Sequence, residues 1–229
     1  MPETASVIIP VYANANTLEE LHHRLRGLEM AASLEIVFVN DASPDNSIEI
    51  LRRLATEDRA IIVVDLSTNV GQQQAIKTGL RVASGDVIVV LDADLQDRPE
   101  EIPALLVRLA RGPFEAVFAV RKNRYQSRGR MILSRFYRHV IKPLTGLPEG
   151  AGGYVAISRR MSERLLKTTG KRFYLAGLIG CSGYRVSALE VVRQMRPKGQ
   201  SAYTGAMRVS VAISNIMCVL GERFSHGNR

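Results

Sequence analysis

Val87-Ile88-Val89-Val90-Leu91-Asp92-Ala93-Asp94-Leu95-Gln96-Asp97 decides the fold of this chain. Five consecutive apolar residues predict a strand covered on both faces, as the central strands of parallel sheets are. The run stops at a pair of carboxylates. Residues two apart in an extended chain share a side, so Asp92 and Asp94 can grip one hard cation, or one can bind it directly and the other through water. Oxygen ligands select Mg²⁺ or Mn²⁺ over Zn²⁺, and Mg²⁺ uses few protein carboxylates alongside substrate phosphates. A cation there would neutralise a diphosphate leaving group. An Asp-x-Asp is also an ordinary solvated turn. Its place directly after a buried strand, with Gln96 and Asp97 following, favours the metal reading.

Upstream, strand patterns alternate with helix patterns. Ser6 to Val11 reads as a short buried strand, and Thr17 to Met30 as a helix with Leu18, Leu21, Leu25 and Leu28 at helical spacing. Glu35 to Val39 is a second strand ending in Asn40-Asp41, and Ser47 is expected to cap a helix through Leu54. Ile61 to Leu66 is a third strand and Gln72 to Ala83 a third helix, closed by Ser84-Gly85-Asp86. This alternation predicts an α/β fold with a mostly parallel central sheet and crossover helices on both faces. Ligands of such sheets sit beyond the carboxyl ends of the strands, which gathers Pro10 to Tyr12, Asn40-Asp41 and Asp92 to Asp94 along one edge. Asn40 to Asp45 and Asn69 to Gln72 each read equally as helix-capping turns; for Asp41 the functional reading is a carboxylate that accepts hydrogen bonds from a nucleobase or ribose.

Beyond Asp97 the character changes. Pro99 to Leu109 is a predicted helix, which Asp97 is expected to cap, and Ala116 to Val120 a strand. A basic loop covers Arg121 to Arg130, and a helix with interleaved apolar and basic positions covers Met131 to Leu144. Gly150 to Gly153 turns into Tyr154 to Ser158, Ser162 to Thr168 is helical, and Tyr184 to Val192 is extended. Arg196 to Tyr203 is a basic loop, and Gly205 to Gly221 a final apolar helix. The whole, residues 1–229, is read as one domain in three parts: residues 1–97, residues 98–204, and a C-terminal helix and tail (205–229).

Charge follows the same division. Residues 1–97 carry seven Lys or Arg against 15 Asp or Glu; residues 98–229 carry 24 against seven, and no aspartate follows Asp97. An acidic half joined to a basic half fits holding a metal and meeting an anion. A hydrophobic share of 46% with 23% charged residues is that of a globular protein. No basic stretch with an apolar core precedes the first strand, and no apolar run nears the ~18 residues of a bilayer span, so neither signal peptide nor transmembrane helix is expected. Cys181 and Cys218 have neither metal-type spacing nor a disulfide framework, which points to a reducing cytosol. His22, His23, His139 and His226 are assigned no role.

Four segments together resemble glycosyltransferase family 2, in the branch of dolichyl-phosphate mannosyltransferase and the bacterial polyprenyl-phosphate glycosyltransferases. They are Val7 to Tyr12, Val39 to Ser47, Asn69 to Gln72 and Leu91 to Glu100. The resemblance is close from Ser6 to Val120 and looser to about Tyr203. It implies a GT-A fold, inversion at the anomeric carbon, a nucleotide-sugar donor (UDP-, GDP- or dTDP-linked) and Mg²⁺ or Mn²⁺, with residues 1–97 as the nucleotide-sugar and metal half and residues 98–204 as the acceptor half. Carried over by position, Pro10 and Tyr12 would line the nucleotide pocket and Asp41 would meet base or ribose. Asn69, Gly71 and Ala93 would complete the donor side. Asp92 would contact the sugar nucleotide near ribose and metal, and Asp94 would hold the metal with Gln96 nearby. Arg121, and Arg130 with Ser134 in an Arg-x-x-x-Ser, would handle an acceptor phosphate, so that Asp92, Asp94, Arg121 and Arg130 form the catalytic set. Ser201 lies in a loop resembling one that closes over the donor diphosphate. The chain departs from the family pattern at Ala13-Asn14 (usually Asn-Glu), Ala42 (commonly Gly), Gly153 (often Asp) and Ala202 (usually Lys).

Transfer to a hydroxyl needs a general base, and beyond Asp97 only Glu149 is a reasonable one, with Asp97 itself a second choice. A phosphate oxygen is already ionised, and arginines clamp phosphate through paired donors. A polyprenyl phosphate acceptor is therefore expected, with a sugar hydroxyl in polysaccharide synthesis as the alternative. Met131 to Lys142 has the mix of an interfacial helix, and Gly205 to Gly221 suits a bilayer surface or a second copy of the chain in a homo-oligomer; each pattern equally suits an ordinary amphipathic helix facing the core. The expected location is cytoplasmic, peripheral on the inner face of the cytoplasmic membrane. A nucleotidyltransferase should show a Gly-rich basic loop near the first strand, and Pro10 to Thr17 has neither Gly nor Lys. Nucleic acid is not expected as a partner: aromatics for base stacking are few and the N-terminal half is acidic.

Overall fold

The computed structural model describes residues 2–121, 145–168, 172–192, 217–219 and 221. In chain order the elements are β1 (Thr4–Val11), α1 (Leu18–Arg26), β2 (Ser33–Asn40), α2 (Ser47–Glu57), β3 (Ile61–Asp65), α3 (Gln72–Val82) and β4 (Val87–Val90). A 3₁₀ turn (Pro99–Glu101), α4 (Ile102–Arg111), β5 (Ala116–Arg121), β6 (Val155–Ser158), α5 (Arg159–Leu166), α6 (Leu175–Cys181) and β7 (Val186–Val191) follow.

One seven-stranded sheet runs β3-β2-β1-β4-β6-β5-β7. The β1–β2, β1–β4, β2–β3 and β5–β7 pairs are parallel, and β6 alone is antiparallel to both its neighbours. The two-residue period of a strand divides β1 and β2 between two cores. Val7, Ile9, Ile36 and Phe38 pack with Leu21 and Leu25 of α1, Leu51 of α2 and Leu105 of α4. Ile8, Val37 and Val39 pack on the other face with Ile76 and Leu80 of α3, Met161 of α5 and Ile179 of α6. Both faces are thus covered, as the apolar runs of β1, β2 and β4 require.

Several boundaries differ from expectation. Helix α1 ends at Gly27, whose N–H reaches back to His23, and Leu28 and Met30 continue to pack as irregular chain. Asn46, not Ser47, is the N-cap of α2. Ser47 is buried as the first helical residue, and its hydroxyl and N–H both go to Asp45 Oδ1, so Asp45 serves the helix start from outside it. The turn at Pro99 begins from Arg98, which occupies the N-cap position and makes no side-chain cap. Helix α5 starts earlier than expected because Ser158 both ends β6 and caps the helix, accepting from the Met161 N–H. Helix α6 was not anticipated. Its residues Leu175 to Ile179 are all buried, so it carries no amphipathic stripe. A Cβ on Gly177 would come within 2.6 Å of Val219, and one on Gly180 within 2.6 Å of Thr145, so these glycines admit close packing. Of the expected helix 205–221, Met217 to Val219 and Gly221 are helical and the rest lies outside the described residues, as does 131–144.

Candidate active site

The chain lays down β1, β2 and β3 in one direction and then returns to the other side of β1 for β4. The carboxyl edge between β1 and β4 is therefore the topological switch point, where such sheets bind ligands. Pro10 opens it. In a parallel ladder the N–H and C=O of one residue face the same neighbour, and Ile8 C=O accepts from Leu91 N–H at 3.0 Å. Pro10, two residues on, faces β4 with no N–H to offer, and the ladder on that side ends. The β1–β2 register continues to Val11↔Asn40 while β1–β4 stops at Ile8↔Val90. Pro10 itself is buried, whereas Tyr12, two residues further along β1's exit, is 42% exposed on the open edge.

Released from the sheet, the chain after Leu91 alternates. Leu91, Ala93 and Leu95 are buried, and Asp92, Asp94 and Gln96 are half-buried, which places the two carboxylates and the amide on the outward side. The buried side is pinned by the Thr17 hydroxyl, 2.6 Å from the Ala93 carbonyl. Asp94 Oδ1 accepts from Gln96 N–H at 3.1 Å. The segment beyond is clamped twice. Arg24 of α1 makes a paired contact to Glu100 (Nε–Oε1 2.7 Å, Nη2–Oε2 2.6 Å). Buried Tyr154 donates its hydroxyl to the Arg98 carbonyl at 2.9 Å. The Arg24 contact holds the Glu100 carboxyl at a pKa of about 2. Burial, with Asp97, Glu101 and Glu100 nearby, pushes the Tyr154 phenol well above its usual range, so it remains a donor.

Asp41 follows β2 and is 3% exposed. Its oxygens accept the N–H groups of Val70 (2.7 Å) and Gly71 (2.9 Å), and its carbonyl accepts from the Asn69 amide at 3.2 Å. The residue expected to meet base or ribose is thus also the anchor of the Asn69–Gly71 loop. Gly71 has φ 85° and ψ 151°, a region essentially restricted to glycine. No atom lies within 4 Å of where its Cβ would be, so the constraint there is the backbone and not space. Directly after it, Gln72 Nε2 donates to Asp92 Oδ1 at 2.7 Å.

The loops are laced to one another. Asp45 Oδ2 accepts from Ala15 N–H, and the Ser43 hydroxyl lies between the Ala13 N–H and the Val11 carbonyl. Burial opposes ionisation of Asp45, but hydrogen bonds from Ser47 and Ala15 outweigh it and lower its pKa. Among the described residues, Ala13, Ala42 and Leu95 are the non-glycine positions with positive φ (54°, 50° and 58°). Each lies in the loop after a different one of the adjacent strands β1, β2 and β4. Such backbone strain concentrates at functional sites.

Of the residues picked from sequence, Pro10, Tyr12, Asp41, Asn69, Gly71, Asp92, Ala93, Asp94 and Gln96 all lie along this edge. From the second half of the chain, a Cβ on Gly153 would stand 3.8 Å from Asp92 Oδ1, so the glycine turn before β6 faces the carboxylates. Arg121 is the last residue of β5, in register with Val191, and its side chain lies outside the described residues. Arg130, Ser134 and Ser201 lie outside them as well. The sequence reading gave no role to Gln72 or Thr17. Gln72 closes the Asn69-Val70-Gly71-Gln72 segment, and that position was the only signal available.

The donor set suits a hard divalent ion. Asp92, Asp94 and Gln96 offer oxygen alone, and among the described residues no group of three or more His, Cys, Asp or Glu could hold a metal. Two carboxylates leave the remaining positions to phosphate oxygens and water, as Mg²⁺ and Mn²⁺ sites on nucleotides do.

A parallel βαβ half joined across β6 to a second half, with Asp-x-Asp at the switch point, defines the GT-A class of nucleotide-diphospho-sugar transferases. Within it, the chain belongs to glycosyl transferase family 2, whose model matches residues 6–192. It is 33% identical over 227 residues to the uncharacterized glycosyltransferase YkcC of Bacillus subtilis, covering 96% of this chain and 68% of that one. It is 32% identical over 222 residues to an undecaprenyl-phosphate 4-deoxy-4-formamido-L-arabinose transferase of Pseudomonas aeruginosa, covering 95% and 65%. The chain thus spans about two thirds of the length of these relatives. Among solved structures it resembles a mannosyltransferase from Pyrobaculum calidifontis in complex with GDP-Man and Mn²⁺, with TM-score 0.64 and 25% identity over 85% of this chain and 57% of that one.

Proposed function

We propose that this glycosyltransferase moves a sugar from a nucleotide-sugar donor to a polyprenyl phosphate at a membrane surface, with inversion and with a divalent cation bound. The observation that carries the reading is the Asp92-x-Asp94 pair, turned outward at the β1–β4 switch point and braced from Thr17, Gln72 and Gln96. Asp94, Asp92 and Gln96 would hold Mg²⁺ or Mn²⁺. When bound, the ion supplies neutralisation of the diphosphate charge that grows as the leaving group departs. Tyr12 and the Asp41–Asn69–Gly71 corner would receive the nucleoside. Arg121, Arg130 and Ser134 would hold the acceptor phosphate, whose oxygen attacks the anomeric carbon opposite the departing diphosphate. The new carbon–oxygen bond forms as the bond to the nucleoside diphosphate breaks, and no proton has to be removed from the acceptor. The name of the Pseudomonas relative supports a polyprenyl phosphate, as does a second half with 24 basic residues and no aspartate. The Mn²⁺ in the Pyrobaculum complex supports the metal. Among the described residues no helix is long and apolar enough to cross a membrane, and approach to lipid is assigned to the basic second half.

The test offers purified protein UDP-, GDP- and dTDP-sugars with Mn²⁺ or Mg²⁺ and a short polyprenyl phosphate. Metal-dependent label in the organic phase, lost in Asp94→Ala and strongly reduced when Arg121 and Arg130 are both alanine, is the expected result. Nucleoside diphosphate release without extractable label would move the acceptor to a carbohydrate. Undiminished transfer by the double arginine variant would contradict the phosphate clamp.

A further inference from the structure

We propose that Gln72 is a positioning residue for the transfer reaction, setting the orientation of the Asp92 carboxylate from the first turn of α3. An ionised carboxylate only accepts, so the amide face that meets Asp92 Oδ1 at 2.7 Å is the NH₂. The contact joins residues 20 apart and is fixed at the Gln72 end by more than one side-chain rotamer. Val70 and Gly71, the two residues before Gln72, give their N–H groups to the two oxygens of Asp41. The carbonyl of Gly71 accepts from Gln74 and Ala75, starting the helix. Gly71 takes a backbone conformation that other residues resist. Hydrogen bonds at each end, joined by the covalent chain of Val70-Gly71-Gln72, therefore tie Asp41, after β2, to Asp92, after β4. They link the carboxylate on the nucleoside side of the edge to the one on the metal side. Helix α3 brings Gln72 to Asp92 because its own core residues Ala75, Ile76, Gly79 and Leu80 are buried against the sheet.

The inference rests on the proposed reading of the site, and its consequences follow from that geometry. Removing the donor takes away the hydrogen bond that Asp92 Oδ1 receives from α3, and with it one restraint on the direction of that carboxylate. Partners that orient a metal-site residue from behind typically change metal affinity or activity about 10- to 100-fold when lost.

The experiment compares the parent with Gln72→Leu, which keeps size and loses the donor, and Gln72→Glu, which keeps shape and replaces the donor by an acceptor. Mn²⁺ affinity is measured by electron paramagnetic resonance in the presence of saturating nucleoside diphosphate, beside steady-state transfer kinetics. Both variants are expected to bind Mn²⁺ about 10-fold more weakly and to lose about 10- to 100-fold in kcat, with thermal midpoints near the parent's and donor KM changed less than about threefold. Mn²⁺ affinity and kcat within about twofold of the parent in either folded variant overturns the proposal, as does a loss confined to donor KM. If the parent itself neither binds Mn²⁺ with nucleotide nor transfers sugar, the metal-dependent reading of the site fails with it; a working parent with indifferent variants removes Gln72 alone.

Discussion

Ala42 sits at φ 50°, where a β-carbon costs about 1–2 kcal/mol. Glycine would relieve that strain but give back about 0.5–1 kcal/mol of unfolded-chain entropy. Ala42→Gly is therefore expected to raise stability by about 0.5–1 kcal/mol in urea denaturation; a loss of stability would mean that the loop does not hold the left-handed turn in solution. Ser162 makes the opposite kind of case. Its hydroxyl is fully buried in α5 with no hydrogen-bond partner. Ser162→Ala removes an unpaid desolvation and is expected to gain up to about 1 kcal/mol, read as a higher denaturation midpoint. At this scale the sequence was most informative where one residue type has one physical use. Asp92 and Asp94 after five apolar residues were legible as an outward carboxylate pair. Gln72 was not, because its partner lies 20 residues on, beyond the end of β4, and nothing local distinguishes it from a helix-starting polar residue.

The elements around the site are held by a few directional contacts, and the Arg24–Glu100 clamp between α1 and the 3₁₀ turn is open to a pH test. The folded Glu100 pKa of about 2 lies below the ordinary value. A depressed carboxyl contributes stability that is fully present above the unfolded pKa near 4.3 and is lost as pH falls through the folded one. Glu100 is 38% exposed, so solvent screening limits the contribution to about 0.5–1 kcal/mol. Glu100→Gln is expected to be less stable than the parent near pH 6, with the gap closing between about pH 5 and pH 2. A gap that widens on acidification would contradict the assignment. Element identity was legible through β4 because each strand and helix there has its own period and a polar stop. Beyond it, α6 escaped notice for want of a polar face. The start of α5 was hidden because Ser158 ends a strand and caps a helix at once, which no periodicity records.

Over the whole molecule, acidic and basic halves meet across one sheet. The antiparallel β6 belongs to the basic half and pairs with β4 of the switch-point half on one side and with β5 on the other, and the Gly153 turn before it faces Asp92. Sequence alone predicted a mostly parallel sheet covered on both faces, and the structure has it. The place of β6 between β4 and β5 depends on pairing partners far apart in the chain and was not legible. The basic half leads to a prediction at this scale. Vesicles containing anionic lipid are expected to sediment the protein at low salt and release it at high salt, since exposed charges are screened within a Debye length. Binding that is indifferent to salt and lipid charge would place the membrane contact elsewhere.

The central claim is that the Asp92-x-Asp94 edge binds a nucleoside diphosphate through a divalent cation, and calorimetric titration of UDP, GDP and dTDP tests it most directly. The account predicts that one of them binds in the presence of Mn²⁺ or Mg²⁺, that chelation weakens binding at least about tenfold, and that Asp94→Ala, still folded, loses the metal-dependent part. Binding of equal strength with and without the cation, or unaffected by Asp94→Ala, would contradict it.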